Sequence, residues 1–231
     1  RGRGHLRCKV DRPDHEVEAQ PLIQIMSDHD KSIKAAKLAT PKVYQSSAAE
    51  WDRQRNRSLM ERQWLDRFAQ SLAPSGHVLD LGCGAGDPVS DYFLTRGFKL
   101  TGIDYARAMI DIAQRRFPQG RWMVQDMRNL QLDDVFDGII SWDGLFHLTV
   151  AEQRELVPQF GDRLNPDGRL LFTIGPQEGE VTGTVAGQTV YHASLDPEEY
   201  RSILANTGFD AIMIEIEDPE CGGHSVVLAR K

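Results

Sequence analysis

HVLDLGCGAGDP, residues 77–88, is the stretch that decides the fold. Val78, Leu79 and Leu81 make an apolar run of strand length that empties at once into Gly82, Gly84 and Gly86. Glycines so spaced let a chain turn sharply from strand to helix, and a ligand can lie against bare backbone because no Cβ blocks it. Asp87 before Pro88 has the chemistry of an N-cap and first helical residue, so a helix is expected over 88–96, closed by Gly97. Asp104 stands 22 residues beyond Gly82, at the end of the next apolar run. A carboxylate there can accept from both hydroxyls of a ribose. The competing reading is a tight turn, with Asp104 only capping the helix that starts at Ala106.

The same alternation continues downstream. Residues 99–104, 121–126 and 136–141 read as strands, and 106–117 as a helix. Thr149 and Glu152 offer a capping box for a helix running to about Leu164, before Pro166-Asp167-Gly168 turns the chain into a strand over 169–174. Asp196 and Pro197 open another helix that stops at Gly208. Strands over 211–216 and 225–229 follow, and their short link suits an antiparallel hairpin at one sheet edge. This spacing predicts an α/β fold, a doubly wound Rossmann-like sheet with helices on both faces. Residues 175–194, rich in Gly, Thr and Gln, read as a long loop at the carboxyl edge of the sheet, where such folds bind ligands.

Upstream, Trp51, Leu59, Met60, Trp64, Leu65, Phe68 and Leu72 are spaced among charged residues as in one or two amphipathic helices. Arg53, Arg55 and Arg57 read as a solvated face. Residues 1–25 have almost no apolar periodicity and read as a disordered leader, tag or extension, with Met26 a plausible start. The basic groups Arg1, Arg3, Arg7, Lys9 and Arg12 outnumber Asp11, Asp14, Glu16 and Glu18 by one, which is no basic arm. The expected organisation is residues 1–25, an N-terminal helical segment 26–72, and one α/β domain 73–231.

Composition narrows the function classes. Hydrophobic residues at 40% and charged residues at 26% of 231 are those of an ordinary folded domain. Lys and Arg number 27 against 34 Asp and Glu, so the net charge of −7 repels a phosphate backbone and nucleic acid is not an expected partner. The three cysteines are scattered without C-x-x-C spacing, which excludes a disulfide framework and a zinc cluster. Cys221 and His224 alone are too few ligands, so no metal is expected. No apolar run approaches the roughly 20 residues of a membrane span. A cytoplasmic monomer or homodimer is expected.

Two cofactor classes use a glycine loop with a downstream carboxylate. Dinucleotide folds use G-x-G-x-x-G to present a helix N-terminus to a pyrophosphate. Here G-x-G-x-G is followed by Asp87, which would repel one; a ligand with a ribose and a cationic amino-acid tail suits the charge better.

The chain resembles the class I S-adenosylmethionine-dependent methyltransferases of small-molecule type. The likeness runs from about Tyr44 to Lys231, through VLDLGCGAGDP (78–88), GIDYARAMIDIAQRRFP (102–118), VQDM (124–127), FDGIISWDGLFHL (136–148) and LNPDGRLLFTIG (164–175). It implies seven strands in the order 3-2-1-4-5-7-6 with strand 7 antiparallel. It implies S-adenosyl-L-methionine as cofactor, with S-adenosyl-L-homocysteine as product. Gly82, Cys83, Gly84 and Gly86 with Asp80 beneath would hold the methionyl end, Asp104 the ribose, and Tyr105, Met109, Asp126 and Met127 the adenine. Ser141 and Trp142 would offer backbone carbonyls. Tyr44 and Trp51 match the opening segment of such enzymes, where the tyrosine approaches the methionyl end and the helix forms a lid.

Methyl transfer from a sulfonium is an in-line displacement, so holding nucleophile and methyl at near-attack distance is the protein's main task. His147, six residues after Ser141, is the candidate general base for an acceptor that must lose a proton; the alternative is a histidine packed between Phe146 and Leu148. Tyr191 and His192 are candidate contacts to a small-molecule acceptor, methylated on O, N or C. The competing functions are an RNA or protein methyltransferase and a non-catalytic cofactor-binding partner.

Overall fold

The computed structural model describes residues 27–231. The segment 1–25 and the start assigned to Met26 lie outside the described residues. Helices α1 (Asp28–Gln54) and α2 (Arg62–Ala69) precede β1 (His77–Leu81), α3 (Val89–Thr95), β2 (Lys99–Asp104), α4 (Arg107–Arg116), β3 (Arg121–Val124) and β4 (Phe136–Ser141). Then come α5 (Val150–Leu156), β5 (Leu164–Ile174), β6 (Gly179–Val185), β7 (Gln188–Ser194), α6 (Pro197–Asn206), β8 (Asp210–Asp218) and β9 (His224–Arg230). The main sheet is ordered β3-β2-β1-β4-β5-β9-β8, with β6 and β7 forming a separate hairpin. β9 runs antiparallel to both β5 and β8, and the pairs from β3 to β5 are parallel. With the hairpin set aside, β8 and β9 are the sixth and seventh strands, and the order is 3-2-1-4-5-7-6.

Both faces of the sheet are buried, which is why its strands read as continuous apolar runs. Successive side chains point to opposite faces. Leu79, Leu81, Ile103, Ile139, Leu170 and Phe172 therefore pack with Phe160, Tyr200 and Leu204 on one side. Val78, Leu100, Ile140 and Leu171 pack with Trp64, Phe68 and Phe93 on the other. Gly138 in β4 allows that second layer to close, since a Cβ there would run into the Phe68 ring. Gly138→Ala is expected to overpack this contact at a cost of about 1–3 kcal/mol, read as a lower urea midpoint with an unchanged m-value.

Four expectations are corrected. The first helix starts at Asp28, well before Trp51 where the amphipathic pattern opens, because Ser27 and Asp30 form a reciprocal capping box. Asp87 does not cap α3; its carboxylate is drawn to Arg57 Nε at 2.6 Å and Arg116 Nη1 at 3.7 Å, and Pro88 occupies the cap. The carboxylate is thus neutralised by two guanidinium groups, and its charge is no argument about a ligand. The helix opened by the Thr149–Glu152 box stops at Leu156 and tightens to a 3₁₀ turn over Val157–Arg163, where Pro158 supplies no N–H. Residues 175–194 are mostly a hairpin, paired from Gly179 with Ser194 to Val185 with Gln188. Its polar composition hid a strand because α1 covers it: Ile33 and Ala36 bury Tyr191 and Ala193.

Candidate active site

The carboxyl ends of β1, β2 and β4 open into one cavity of about 460 Å³, within the roughly 300–1,000 Å³ range of small-molecule sites. The β1–α3 loop forms its floor. Gly82, Gly84 and Gly86 have φ of +74°, +52° and +80°, conformations that only glycine adopts freely, and the Gly82 and Cys83 N–H groups donate to the Ile103 carbonyl at 2.8 and 3.0 Å. The Trp51 ring lies so close that a Cβ on Gly84 would stand 3.2 Å from its edge.

Asp104 both holds Ala106, the N-cap residue of α4, and faces the cavity. Its Oδ1 accepts from the Ala106 N–H at 2.8 Å and its Oδ2 from the Gly84 N–H at 3.0 Å. Each carboxylate oxygen keeps a second lone-pair direction, so two hydroxyls can still be bound. Burial raises the Asp104 carboxyl to about 6, the two backbone donors pulling against it. Asp80, buried deeper, is pushed up to about 7 by desolvation, against a hydrogen bond from Ser90 at 2.6 Å.

Helix α1 forms the roof. Thr40 ties it down, its carbonyl accepting from the Tyr105 hydroxyl at 3.1 Å and its Oγ1 from the Tyr191 N–H at 2.8 Å. One turn on, Tyr44 Oη lies 2.7 Å from His147 Nε2, while His147 Nδ1 lies 2.9 Å from the Tyr191 carbonyl oxygen. The carbonyl only accepts, so Nδ1 carries the proton and Nε2 accepts the Tyr44 O–H. Burial holds His147 down at about 4, so the ring is neutral at pH 7. Phe146, His147 and His192 stand ring against ring at 4.7–4.9 Å and form one wall.

The cavity gathers Tyr44, Trp51, Asp80, Gly82, Cys83, Gly84, Asp104, Tyr105, Met109, Asp126, Met127, Trp142, His147 and His192. Asp126 also caps a short turn through the Arg128 N–H and pairs with the Arg128 guanidinium, which holds its carboxyl below the usual range. Three expected site residues are not brought there. Gly86 serves packing, because a Cβ would meet the Trp122 and Phe117 rings at 2.9 and 3.1 Å. Ser141 is buried with its hydroxyl donating to the Leu81 carbonyl at 2.9 Å. Tyr191 is turned into the packing under α1, its hydroxyl donating to Glu180 at 2.5 Å.

Arg55 and Asp143 are wall residues that sequence reading missed. Arg55, read as solvated, has a side chain only 16% exposed and donates to Asp143 Oδ2 at 3.0 Å. Nearby, Arg55 Nε and Trp142 Nε1, on two residues of the cavity lining, are buried without a hydrogen-bond partner among the described residues, so this part of the cavity has donors to spare for a ligand. Among the described residues no group of three or more His, Cys, Asp and Glu side chains could hold a metal, and no helix is long and apolar enough to cross a membrane.

Comparison with known proteins bears on the domain and on the fold. Residues 78–168 match the model of a methyltransferase domain. The chain is 32% identical over 138 residues to the putative methyltransferase YqeM of Bacillus subtilis, covering 57% of this chain and 55% of the relative. It thus spans about half the length of that relative. Solved structures share its fold, among them two methyltransferases with S-adenosylmethionine bound. The SAM-bound amino pentose methyltransferase CalS10 from Micromonospora echinaspora has a TM-score of 0.63 at 22% identity, over 80% of this chain and 95% of the other. The SAM-bound magnesium protoporphyrin IX methyltransferase from Synechocystis PCC 6803 has a TM-score of 0.64 at 19% identity, over 85% and 97%. Residues 78–168 thus match a methyltransferase domain, and the seven-stranded sheet that contains them has the fold of these two S-adenosylmethionine-bound enzymes.

Proposed function

We propose that the chain is an S-adenosylmethionine-dependent methyltransferase that acts on a small-molecule acceptor and releases S-adenosylhomocysteine. The observation that carries this reading is that one cavity is lined both by Asp104 and the glycine loop and by the Tyr44–His147 pair. The donor set fits the cofactor: carboxylate lone pairs for the ribose, aromatic and thioether surface from Tyr105, Met109 and Met127 for the adenine, and Arg55 beside Trp142 and Asp143 for the amino-acid end. S-adenosylmethionine supplies a methyl group on a sulfonium that leaves as a neutral thioether.

The chain's own residues position the acceptor and take its proton. In the reading proposed here, the acceptor lies against the Phe146, His147 and His192 wall under Pro41 and Tyr44. An acceptor hydroxyl would give up its proton to Tyr44 Oη while Tyr44 passes its own to His147 Nε2; the hydrogen bond between these two side chains supports that route over direct transfer to the histidine. His147 is therefore a base through Tyr44. The small-molecule assignment is supported by neighbours that act on an amino pentose and on magnesium protoporphyrin IX.

The test supplies methyl-labelled S-adenosylmethionine with fractionated extracts. Label is expected in the small-molecule fraction. Label confined to RNA or protein would overturn the acceptor class, and cofactor binding without label in any fraction would favour a non-catalytic binding partner.

A further inference from the structure

His224 lies behind the cavity wall, against the lining residues Trp142 and Asp143, and the proposed transfer does not use it. Six strands of the main sheet, β1 to β5 and β8, point the same way, so their carboxyl ends face the ligand edge; β9 alone in that sheet runs the other way and delivers its first residue there. The pairing of Ile174 with Ser225 sets His224 just beyond the end of β5. Its Nδ1 lies 2.8 Å from the Cys221 carbonyl oxygen and its Nε2 lies 3.0 Å from Asp143 Oδ1. Both partners only accept, so the imidazolium, with a proton on each nitrogen, is the form of the ring that satisfies both contacts. His147 makes the contrast, with one acceptor and one hydroxyl donor about a neutral ring.

The surroundings favour that charge. The Trp142 ring stacks on His224 at 5.4 Å and 30°. The hydrogen bond to Asp143 raises the His224 pKa above the ordinary 6.5, ahead of the opposing effect of burial. Asp143 would itself be raised by burial, but His224 and Arg55 prevail and hold it below the usual carboxylate range. Its backbone is in the left-handed region at φ +56°, pinned by an N–H bond to Thr173 Oγ1 at 2.9 Å. The other charged groups of this cluster are Glu61, raised by burial and 3.7 Å from Arg55 Nη2, and Asp218, which Trp64 Nε1 and Gln63 Nε2 engage at 2.8 and 2.9 Å. Arg55 is the C-cap residue of α1, so this chain of contacts ends on the roof of the cavity.

We propose that His224, as a cation, is a positioning residue for the cofactor: it fixes Asp143, and through Asp143 it holds Arg55 and the end of α1 against the amino-acid end of the cavity. The inference rests on the cofactor reading above. When the ring loses its second proton, an unprotonated Nε2 faces a carboxylate oxygen and the link to Arg55 loosens. The sign follows from a raised pKa: the cation persists below 6.5 and is lost as pH rises through the folded value. Cofactor affinity therefore has an alkaline limb from His224, separate from an acid limb in which Asp104 and Asp80 take up protons.

The experiment titrates S-adenosylhomocysteine by calorimetry from about pH 6 to about pH 9 into the full chain, His224→Gln and Asp143→Asn, with ¹⁵N spectra of the histidine rings. The native ring of His224 is expected as imidazolium at pH 7, with affinity falling roughly tenfold along the alkaline limb, the scale of a charge-assisted hydrogen bond. Both variants are expected to bind about tenfold more weakly at pH 7 and to lack that limb, with the KM for the cofactor raised and kcat near native. A neutral His224 ring at pH 7, or variants whose affinity follows the native profile, would overturn the inference. Failure of the native chain to bind S-adenosylhomocysteine at any pH would overturn the cofactor reading and this role with it, and the ring spectra distinguish that case by a cation that remains.

Discussion

His147→Gln is expected to lower the methyl-transfer rate by about 10²-fold while leaving S-adenosylhomocysteine affinity near native, since general-base catalysis contributes roughly 10² to 10⁴. The lower end applies because burial makes His147 a weak base, at about 4. Glutamine preserves a polar group of similar reach toward the Tyr191 carbonyl, so packing and proton transfer are separated. Tyr44→Phe is expected to fall by a comparable factor, because the phenyl ring keeps the roof but carries no proton to Nε2. Single-turnover rates with saturating cofactor decide it. Two variants that melt earlier and turn over at the native rate would make the pair structural, with positioning as the source of rate. The pH profile agrees in sign: His147 takes a proton only near pH 4, so loss of kcat/KM around pH 6 is expected from Asp104 instead.

Asp104→Ala is expected to weaken S-adenosylhomocysteine binding by about 2 kcal/mol or more, roughly thirtyfold, the scale of losing charge-assisted hydrogen bonds. The side chain also holds the Gly84 and Ala106 N–H groups at 3.0 and 2.8 Å, so its loss loosens the loop that bears the ligand. Asp104→Asn tells the two effects apart, because an amide oxygen can keep one backbone donor while the carboxylate charge is gone. In the native chain the affinity should fall as pH drops through about 6, where Asp104 becomes protonated and loses acceptor capacity. Affinity unchanged in the alanine variant would remove Asp104 from the site.

What could be read from the sequence was local. The strand, glycine loop, carboxylate and terminal hairpin each carry their signal within about a dozen residues, so the sheet and the cofactor end of the cavity were legible. The acceptor end was not, because it depends on pairings between distant parts of the chain. The roof begins with Ser27 and Asp30, a capping box that sequence could have offered but that the polar, Lys-rich turns after it obscured. Tyr191 and His192 looked alike as loop residues; only the pairing of β6 with β7, and the cover of α1, turns one into the packing and the other to the cavity. His147 was visible as a base but not its engagement by Tyr44, a hydrogen bond across 103 positions. Arg55, Asp143 and His224 escaped for the same reason, since each comes from a different element.

The central claim is that this cavity receives S-adenosylmethionine, and calorimetric titration of the native chain with S-adenosylhomocysteine, with NAD as the control, tests it most directly. Saturable binding of one S-adenosylhomocysteine per chain, with NAD much weaker, is the predicted result; no heat from S-adenosylhomocysteine, or tighter binding of NAD, would contradict it.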